Sequence, residues 1–228
     1  MPDRMTFAVG DIHGCFDKLL RLIAACESAS DRSDRFVFIG DYVDRGPDAS
    51  KVIATLIELQ RQEPDRFVCL RGNHEELLAR AARPDRTDRD LMTWWANGGE
   101  ATLDSYGVGD PSDLPADHLA WIETLPFMLR DSRRLFVHAG IRPGVSIPDQ
   151  AERDLLWIRE PFLSSDARHG AFIVHGHTPT QSGLPDLRPN RLNIDTGACF
   201  GGPLTAALFS HAETLPLMFI NDLGETWR

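Results

Sequence analysis

The sequence lacks several features that would narrow its function at once. It has no apolar run of roughly 18 or more residues, so no segment is predicted to cross a bilayer as a helix. The first residues lack the basic stretch and apolar core of a signal peptide, so we expect a cytoplasmic protein without a membrane role. Basic residues are in deficit, with a formal net charge of -10, whereas binding long nucleic acids requires a basic face. We therefore expect no long nucleic acid as a partner.

Cysteine is also scarce. The four cysteines lie far apart and form no C-x-x-C pair, so neither a zinc knuckle nor a dithiol redox site is expected. We expect reduced, structural thiols, although the role of Cys199 stays open. Internal repeats and low-complexity linkers are absent as well. The chain is therefore expected to form one domain, residues 1–228, with 42% hydrophobic residues to fill its core.

The first third of the chain alternates between strand and helix patterns. Short β-branched or aromatic runs predict strands at residues 6–9, 36–39 and 67–70. Between them, apolar residues recur at helical spacing, first from Phe16 to Ile23 and then from Ala49 to Leu56. This βαβαβ order favours an α/β fold with a parallel sheet.

The later sequence changes character twice. From about residue 75 to residue 125, helical patterns replace strands and predict a helical excursion beside the sheet. Within it, Trp94, Trp95 and Trp121 are interpreted as part of a helical core patch. Strands are then predicted at residues 135–137, 172–174, 192–194, 204–209 and 215–220. The last three are closely spaced and are expected to pair antiparallel.

Polar motifs follow five of the predicted strands. Ligands of open α/β sheets bind beyond the carboxyl ends of the strands, so these five loops are expected to converge. Flanking glycines would let the backbone turn sharply around an ion. The motifs are GDIHG from Gly10, GDYVDRG from Gly40, RGNHE from Arg71, HAG from His138 and HGHT from His175.

The residue types in these loops point to divalent cations. Carboxylate oxygens and imidazole nitrogens suit manganese, iron or zinc, and thiolates are missing from the set. Without a cation, Asp11 and Asp41 would repel each other and would lose their hydration on burial. A metal ion resolves both problems.

In order and in residues, these motifs resemble the signature blocks of the phosphoprotein phosphatases, the serine/threonine phosphatase group of the calcineurin-like metallophosphoesterases. The resemblance spans roughly residues 9–197 and is closest to small bacterial and phage members, including WANGG from Trp95 and DTGA from Asp195. It implies two mixed β-sheets sandwiched between helices. It also implies a hydrolase with two divalent metal ions, with manganese as our first choice and iron or zinc as alternatives.

The resemblance further implies six metal ligands. Two bind the first ion, one bridges both ions and three bind the second ion. In that order they are Asp11 and His13, then Asp41, then Asn73, His138 and His177. His175 has no assigned role, because it either supports the ligands or lines the cleft.

The remaining implied roles concern the substrate. His74, paired with Asp44, would be the general acid that protonates the leaving oxygen. A hydroxide that bridges the two metal ions would attack phosphorus directly and in line. Three arginines would hold the phosphoryl oxygens through their planar guanidinium groups, namely Arg45, Arg71 and Arg159.

Three functions are compatible with this pattern. The first choice is a phosphatase for phosphoserine or phosphothreonine in proteins, with phosphotyrosine and small phosphoesters as further substrates. The alternative is a dinucleoside polyphosphate hydrolase such as a diadenosine tetraphosphatase, a related group in which Asp tends to occupy the position of Glu75. A non-catalytic metal-binding scaffold has little support, since every ligand and the acid are present.

Overall fold

The computed structural model describes residues 4–30 and 34–228, which form two β-sheets packed face to face with helices outside them. The strands are β1 (Thr6–Val9), β2 (Arg35–Phe38), β3 (Phe67–Cys69), β4 (Met128–Arg130), β5 (Arg134–Val137), β6 (Phe172–His175), β7 (Asp186–Leu187), β8 (Arg191–Asn193), β9 (Thr205–Phe209), β10 (Met218–Asn221) and β11 (Thr226–Trp227). One sheet has the order β11-β10-β9-β1-β2-β3 and the other has the order β4-β5-β6-β8-β7.

The helices are α1 (Phe16–Ala29), α2 (Ala49–Gln62), α3 (Asn73–Ala81), α4 (Asp88–Ala96), α5 (Gly99–Tyr106), α6 (Ala116–Thr124) and α7 (Glu152–Trp157). The predicted excursion is confirmed, because α3 to α6 follow one another without a strand. The longest two, α1 and α2, have 14 residues each. Across the described part of the chain, no helix combines the length and apolar character that a membrane crossing requires.

Both sheets are mixed, and their parallel strands end together. In the first sheet β1, β2 and β3 run parallel, with Val9 opposite Phe38 and Phe38 opposite Cys69. In the second sheet β5, β6 and β8 run parallel, while β4 and β7 pair antiparallel at the two edges. The loops that follow the parallel strands therefore leave each sheet at one edge, as the motif order predicts.

The core has three layers of buried side chains. The inner layer lies between the sheets and includes Val37 from β2 and Val174 from β6. A second layer joins the first sheet to α1 and α2 and holds Leu56, and a third joins the second sheet to α7 and holds Leu155. This arrangement confirms the predicted sandwich of two mixed sheets between helices.

Several details differ from the sequence prediction. Residues 192–194 were expected to pair antiparallel with the strands that follow, but β8 lies in the other sheet and runs parallel to β6. The chain crosses to the first sheet after β8, where β9 pairs antiparallel with β1. Of the three strands that were expected to pair antiparallel with one another, only β9 and β10 do so. The edge strands β4, β7 and β11 were not predicted, and Leu20, one of the apolar residues at helical spacing between Phe16 and Ile23, is 44% exposed.

Candidate metal centre

The polar loops of both sheets meet at one place. The backbone N–H of His13 donates to the carbonyl of Asp41 at 2.8 Å, which joins the loops after β1 and β2. The backbone N–H of His177, from the loop after β6, donates to the carboxylate of Asp11 at 3.0 Å. The second of these contacts links the first sheet to the second through their motif loops.

The backbone in these loops is held in an uncommon conformation. Non-glycine residues rarely adopt a positive φ, which costs of order 1 kcal/mol or more and concentrates at functional sites. Among the described residues, every non-glycine position with a positive φ belongs to a motif loop. They are His13 (44°), Asp41 (56°), Asp44 (68°), Arg45 (68°) and His177 (65°).

Asp41 is shared by two groups of possible metal ligands. One ligand atom from each of His13, Asp41 and His74 lies within 4.8 Å of the others, and the same holds for Asp41, His138 and His177. All five residues are buried. A carboxylate with two oxygens in two groups can bridge two cations, which is the role that the resemblance implies for Asp41.

The acceptor atoms of the second group face one another. His138 Nδ1 lies 3.0 Å from the carbonyl of Ile39, which assigns the ring proton to Nδ1 and leaves a lone pair on Nε2. That Nε2 atom is 2.8 Å from Asn73 Oδ1 and 3.3 Å from Asp41 Oδ1. His177 Nδ1 also lies 2.8 Å from Asn73 Oδ1. Converging lone pairs fit a cation, so the donor set suits a divalent metal ion.

The first group has the same arrangement. His13 Nδ1 lies 2.8 Å from the carbonyl of Val43, and His13 Nε2 lies 3.3 Å from Asp41 Oδ2. His74 completes this group, whereas the sequence assigns Asp11 to it. Asp11 lies nearby, since its charge interacts with that of Asp41. The structure therefore places His74 beside His13 and brings Asp11 close to the shared ligand Asp41.

Close backbone approach brings Asp11 to the site. A Cβ atom on Gly176 would lie only 2.1 Å from Asp11 Oδ1. Burial, and then the charges of Asp195 and Asp41, raise the pKa of Asp11 well above its ordinary value. Burial also raises the pKa of Asp195 to about 6. This cluster of carboxylates is costly to ionise without a cation, which is a further observation that fits metal.

Two of the neighbouring histidines, His138 and His177, are suited to act as neutral ligands. Burial acts to raise the pKa of Asp41, but His138, His74 and His13 lower it well below its ordinary value. Burial lowers the pKa of His138, and burial together with His138 lowers the pKa of His177 to about 2. At neutral pH these two rings carry a free lone pair, which is the form that binds metal.

His74 and Asp44 form the predicted pair. His74 Nδ1 is 2.7 Å from Asp44 Oδ2, and both side chains are fully buried. His74 Nε2 lies 3.9 Å from Asp41 Oδ2, so it faces the shared ligand. The pair therefore lies against the candidate metal centre, with Nε2 on the side of the centre.

The three predicted phosphate-binding arginines lie in different surroundings. The guanidinium of Arg45 donates to His13 Nε2 and to His74 Nε2, both at 2.8 Å. Arg159 lines a cavity of about 560 Å³ together with His177. Arg71 donates to the carbonyl of Ile122 at 2.8 Å and to Glu76 at 3.0 Å, so its role at a phosphoryl group stays a prediction.

Sequence reasoning missed the role of Glu75. Its fully buried carboxylate accepts four backbone N–H groups at 2.7 to 3.3 Å, and thereby fastens the loop after β2 to the loop after β3. The donors are Asp41, Tyr42, Val43 and Gly72. An acidic residue in the first turn of α3 is the only sequence signal, and it resembles an ordinary helix start.

The two residues left open have different surroundings. His175 is buried outside the ligand groups, with Nδ1 3.1 Å from the carbonyl of Gly176 and its ring 5.0 Å from that of Phe162. Cys199 lies beside Arg45, and burial raises its pKa to about 11. The four cysteines are free thiols, as predicted.

Comparison with known proteins agrees with this geometry. The serine/threonine-protein phosphatase 1 of Salmonella typhimurium is 33% identical over 216 residues, which cover 90% of this chain and 91% of that protein. The asymmetrical bis(5'-nucleosyl)-tetraphosphatase PrpE of Anoxybacillus flavithermus is 29% identical, with 91% of each chain covered. A solved cold-active protein-tyrosine phosphatase from a psychrophilic Shewanella shares the fold, with a TM-score of 0.66, 18% identity and coverage of 100% of this chain and 82% of its own.

A family model described as calcineurin-like phosphoesterase matches residues 6–211. The resemblance noted in the sequence and the predicted enzyme class are thereby confirmed. Since the match covers most of the chain and a relative exceeds 30% identity, this chain belongs to the calcineurin-like phosphoesterase family and is a metallophosphoesterase, a hydrolase whose family uses divalent metal ions.

Proposed function

We propose that this chain is a manganese-dependent phosphomonoesterase that acts on phosphoserine and phosphothreonine in proteins. The observation that carries the proposal is the position of Asp41 between two ligand groups, with the His74–Asp44 pair beside it. Such a centre serves hydrolysis of a phosphoester, in which one oxygen attacks phosphorus and another leaves.

Six residues hold the cations in this proposal. Bound divalent ions would lower the pKa of water and stabilise charge on the phosphoryl oxygens. The rings of His13 and His138 are oriented for this task by the carbonyls that their Nδ1 atoms face. The ligands are Asp11 and His13 for one ion, Asp41 for both, and Asn73, His138 and His177 for the other.

His74 acts as the general acid. Its Nε2 atom delivers a proton to the ester oxygen of serine or threonine as the bond from phosphorus to that oxygen breaks. Asp44 holds the ring through Nδ1 at 2.7 Å. Arg45 and Arg159 bind the phosphoryl oxygens, and Arg45 leaves its contacts with the two histidine rings to do so.

The surface beside the centre supports a protein substrate. Two cavities, of about 760 and 560 Å³, share Arg153 and Trp157 in their walls, and His177 lines the smaller one. Adjoining cavities beside the centre give room for residues next to a phosphorylated side chain. The serine/threonine phosphatase relative at 33% identity supports the same choice.

A second candidate is a dinucleoside tetraphosphate hydrolase. The ring of Phe200 is 65% exposed and lies 5.4 Å from the guanidinium carbon of Arg45. An exposed aromatic ring beside a phosphate-binding arginine suits a nucleobase, which stacks on aromatic faces. Several relatives carry the name of such a hydrolase.

We further propose that residues 1–228 form a single catalytic domain that works in the cytoplasm, without long nucleic acids or membranes as partners. The three core layers extend from β1 to β11 and support the single domain. The acidic net charge of -10 argues against long nucleic acids.

A substrate panel tests the choice. The protein is stripped of metal, reloaded with manganese, iron or zinc, and offered phosphoserine and phosphotyrosine peptides, p-nitrophenyl phosphate and diadenosine tetraphosphate. We expect the highest kcat/KM for the phosphoserine peptide with manganese. Exclusive cleavage of diadenosine tetraphosphate would replace the first proposal by the second.

A further inference from the structure

Three residues of the helical excursion form hydrogen bonds with the turn at Asp44 and Arg45. The indole Nε1 of Trp94 donates to Asp44 Oδ1 at 3.0 Å and Oδ2 at 3.1 Å. The hydroxyl of Thr102 donates to Asp44 Oδ1 at 2.7 Å and accepts the backbone N–H of Asp44 at 2.9 Å. The backbone N–H of Arg45 donates to the carbonyl of Gly98 at 3.1 Å.

These contacts satisfy the whole carboxylate of Asp44. Its Oδ2 atom accepts hydrogen bonds from His74 and Trp94, while its Oδ1 atom accepts hydrogen bonds from Trp94 and Thr102. All four side chains are fully buried. A buried polar oxygen without a partner is costly, so these donors hold the carboxylate in the position from which it contacts His74 Nδ1.

The excursion is shaped to present these donors. A Cβ atom on Gly99 would lie 2.5 Å from the Trp94 ring, so the start of α5 closes directly on the indole. Asp44 itself has a φ of 68°, which its own side chain disfavours and which the Thr102 contact helps to hold. Core packing alone would require the ring of Trp94 but not its N–H group.

We propose that Trp94 and Thr102 are positioning residues for the general acid. They fix the Asp44 carboxylate, which in turn keeps the His74 ring oriented with its Nε2 proton directed at the leaving oxygen. This inference rests on the proposed role of His74. It gives the WANGG stretch and the helices on either side a function in proton delivery, beyond any contact with substrate.

The leaving group distinguishes this role from a structural one. The alkoxide of serine is a poor leaving group and needs the proton as the phosphorus–oxygen bond breaks. The p-nitrophenolate ion leaves readily without it. A loss of acid positioning must therefore slow the phosphoserine reaction much more than the nitrophenyl reaction, whereas a loss of folded protein or of metal slows both equally.

The test compares five variants on both substrates with manganese, of which Thr102→Ser serves as the conservative rescue. Trp94→Phe keeps the ring but removes the N–H, and Thr102→Val keeps the shape but removes the hydroxyl. His74→Asn is the reference for complete loss of the acid. Trp121→Phe is the matched control, since it removes an indole N–H from a 2.7 Å hydrogen bond to Gln60 elsewhere in the excursion.

We expect each positioning variant to lower kcat on the phosphoserine peptide by roughly tenfold and kcat on p-nitrophenyl phosphate by less than about twofold, because general acid catalysis contributes about 10²–10⁴ in all. Thr102→Ser should restore the phosphoserine rate. The Trp121→Phe control should change both rates by less than about twofold.

A measurement without turnover accompanies these rates. The indole N–H of Trp94, assigned in NMR spectra by its loss in Trp94→Phe, should exchange slowly with solvent and should shift on Asp44→Asn substitution. If Thr102→Val and Trp94→Phe slow both substrates equally, or neither, the inference is wrong. If His74→Asn slows the phosphoserine reaction no more than the nitrophenyl reaction, the proposed role of His74 as general acid is wrong. That result is distinct from a failure of the positioning role alone, in which His74→Asn slows the phosphoserine reaction selectively but Trp94→Phe and Thr102→Val do not.

Discussion

The two oxygens of Asp41 face different histidines. Oδ2 lies 3.3 Å from His13 Nε2, and Oδ1 lies 3.3 Å from His138 Nε2. The residue also has a φ of 56°, so its backbone is held in place against its own preference. A single carboxylate thereby connects the ligands of both sheets.

Replacing this carboxylate by an amide tests its role. Asp41→Asn keeps the shape but removes the charge and one acceptor, so we expect turnover to fall by at least roughly a thousandfold and manganese affinity to fall with it. Circular dichroism should show the fold retained. The control is Asp48→Asn, at a surface ion pair with Lys51. Undiminished turnover in Asp41→Asn would contradict the bridging role.

His175 predicts a pH dependence of stability in the metal-free protein. Burial, and then the charge of Arg191, lower its pKa from 6.5 to about 3. Between these two pH values the unfolded chain therefore binds a proton on the His175 ring, whereas the folded protein does not. The stabilising contribution is complete above about pH 6.5 and is lost as the pH falls toward 3.

Denaturant unfolding in the presence of a chelator measures this effect. Between about pH 7.5 and pH 5.5 the wild type should lose up to about 1.4 kcal/mol more than His175→Gln. His211→Gln, at an exposed position, should behave as the wild type. Equal losses in wild type and His175→Gln would contradict the buried, neutral state of this ring.

The motif residues could be predicted because each follows its strand within a short stretch of sequence. The partners of those residues could not. Thr102 is 58 residues from Asp44, and Trp94 is 50 residues from it. A helical tryptophan reads as a core residue, and nothing in its neighbourhood indicates that its N–H meets a carboxylate. Only the packed structure brings these donors to the site.

At the scale of elements, the loop after β2 depends on the start of α3. Glu75 Oε2 accepts the N–H groups of Asp41 and Gly72 at 2.8 and 2.9 Å, and Oε1 accepts those of Tyr42 and Val43 at 2.7 and 3.3 Å. The helix thus fixes the loop that carries the shared ligand.

Glu75→Gln should break this link. The amide nitrogen would face two N–H donors that then lack an acceptor, which costs about 3 kcal/mol in the free energy of unfolding and also weakens metal binding. Glu58→Gln is the control, because it removes only an exposed ion pair with Arg61 and should leave the stability nearly unchanged. Equal stability of the two variants in urea unfolding would contradict the linking role.

The loop after β6 depends on the absence of a side chain at Gly176. A Cβ atom there would meet Asp11 Oδ1 at 2.1 Å, so Gly176→Ala must displace that carboxylate. We expect manganese affinity, measured by calorimetric titration, to fall by about tenfold or more. Gly109→Ala is the control, because nothing lies within 4 Å of its added Cβ. Unchanged affinity in Gly176→Ala would remove Asp11 from the ligand set.

Elements with strong apolar runs were predictable, and short ones were not. The strands β1, β2 and β3 lie within a residue of their predictions, because their apolar spacing agrees with their burial. The helix α2 begins at Ala49 as predicted but continues to Gln62, six residues beyond the last apolar residue of the pattern. The edge strands β4, β7 and β11 have only two or three residues, too few for a periodic pattern. The pairing of β8 depends on sheet packing, which local spacing does not encode.

At the scale of the whole molecule, two sheets cooperate to build one centre. The first sheet contributes Asp41, and the second contributes His138 and His177 to the same ligand group. Cations bound there would connect the sheets and stabilise the folded state by mass action. We expect the midpoint of thermal unfolding to rise on addition of manganese, by less in Asp41→Asn than in the wild type, as checked by calorimetry.

The central claim is that this centre binds two divalent cations that hydrolysis requires. Its most direct test is a manganese titration of the chelated protein in which bound metal and p-nitrophenyl phosphate hydrolysis are followed together. We predict no hydrolysis without metal, and activity that rises until about two ions are bound per chain. Full hydrolysis by the chelated protein, or saturation of both signals at a single ion, would contradict the account.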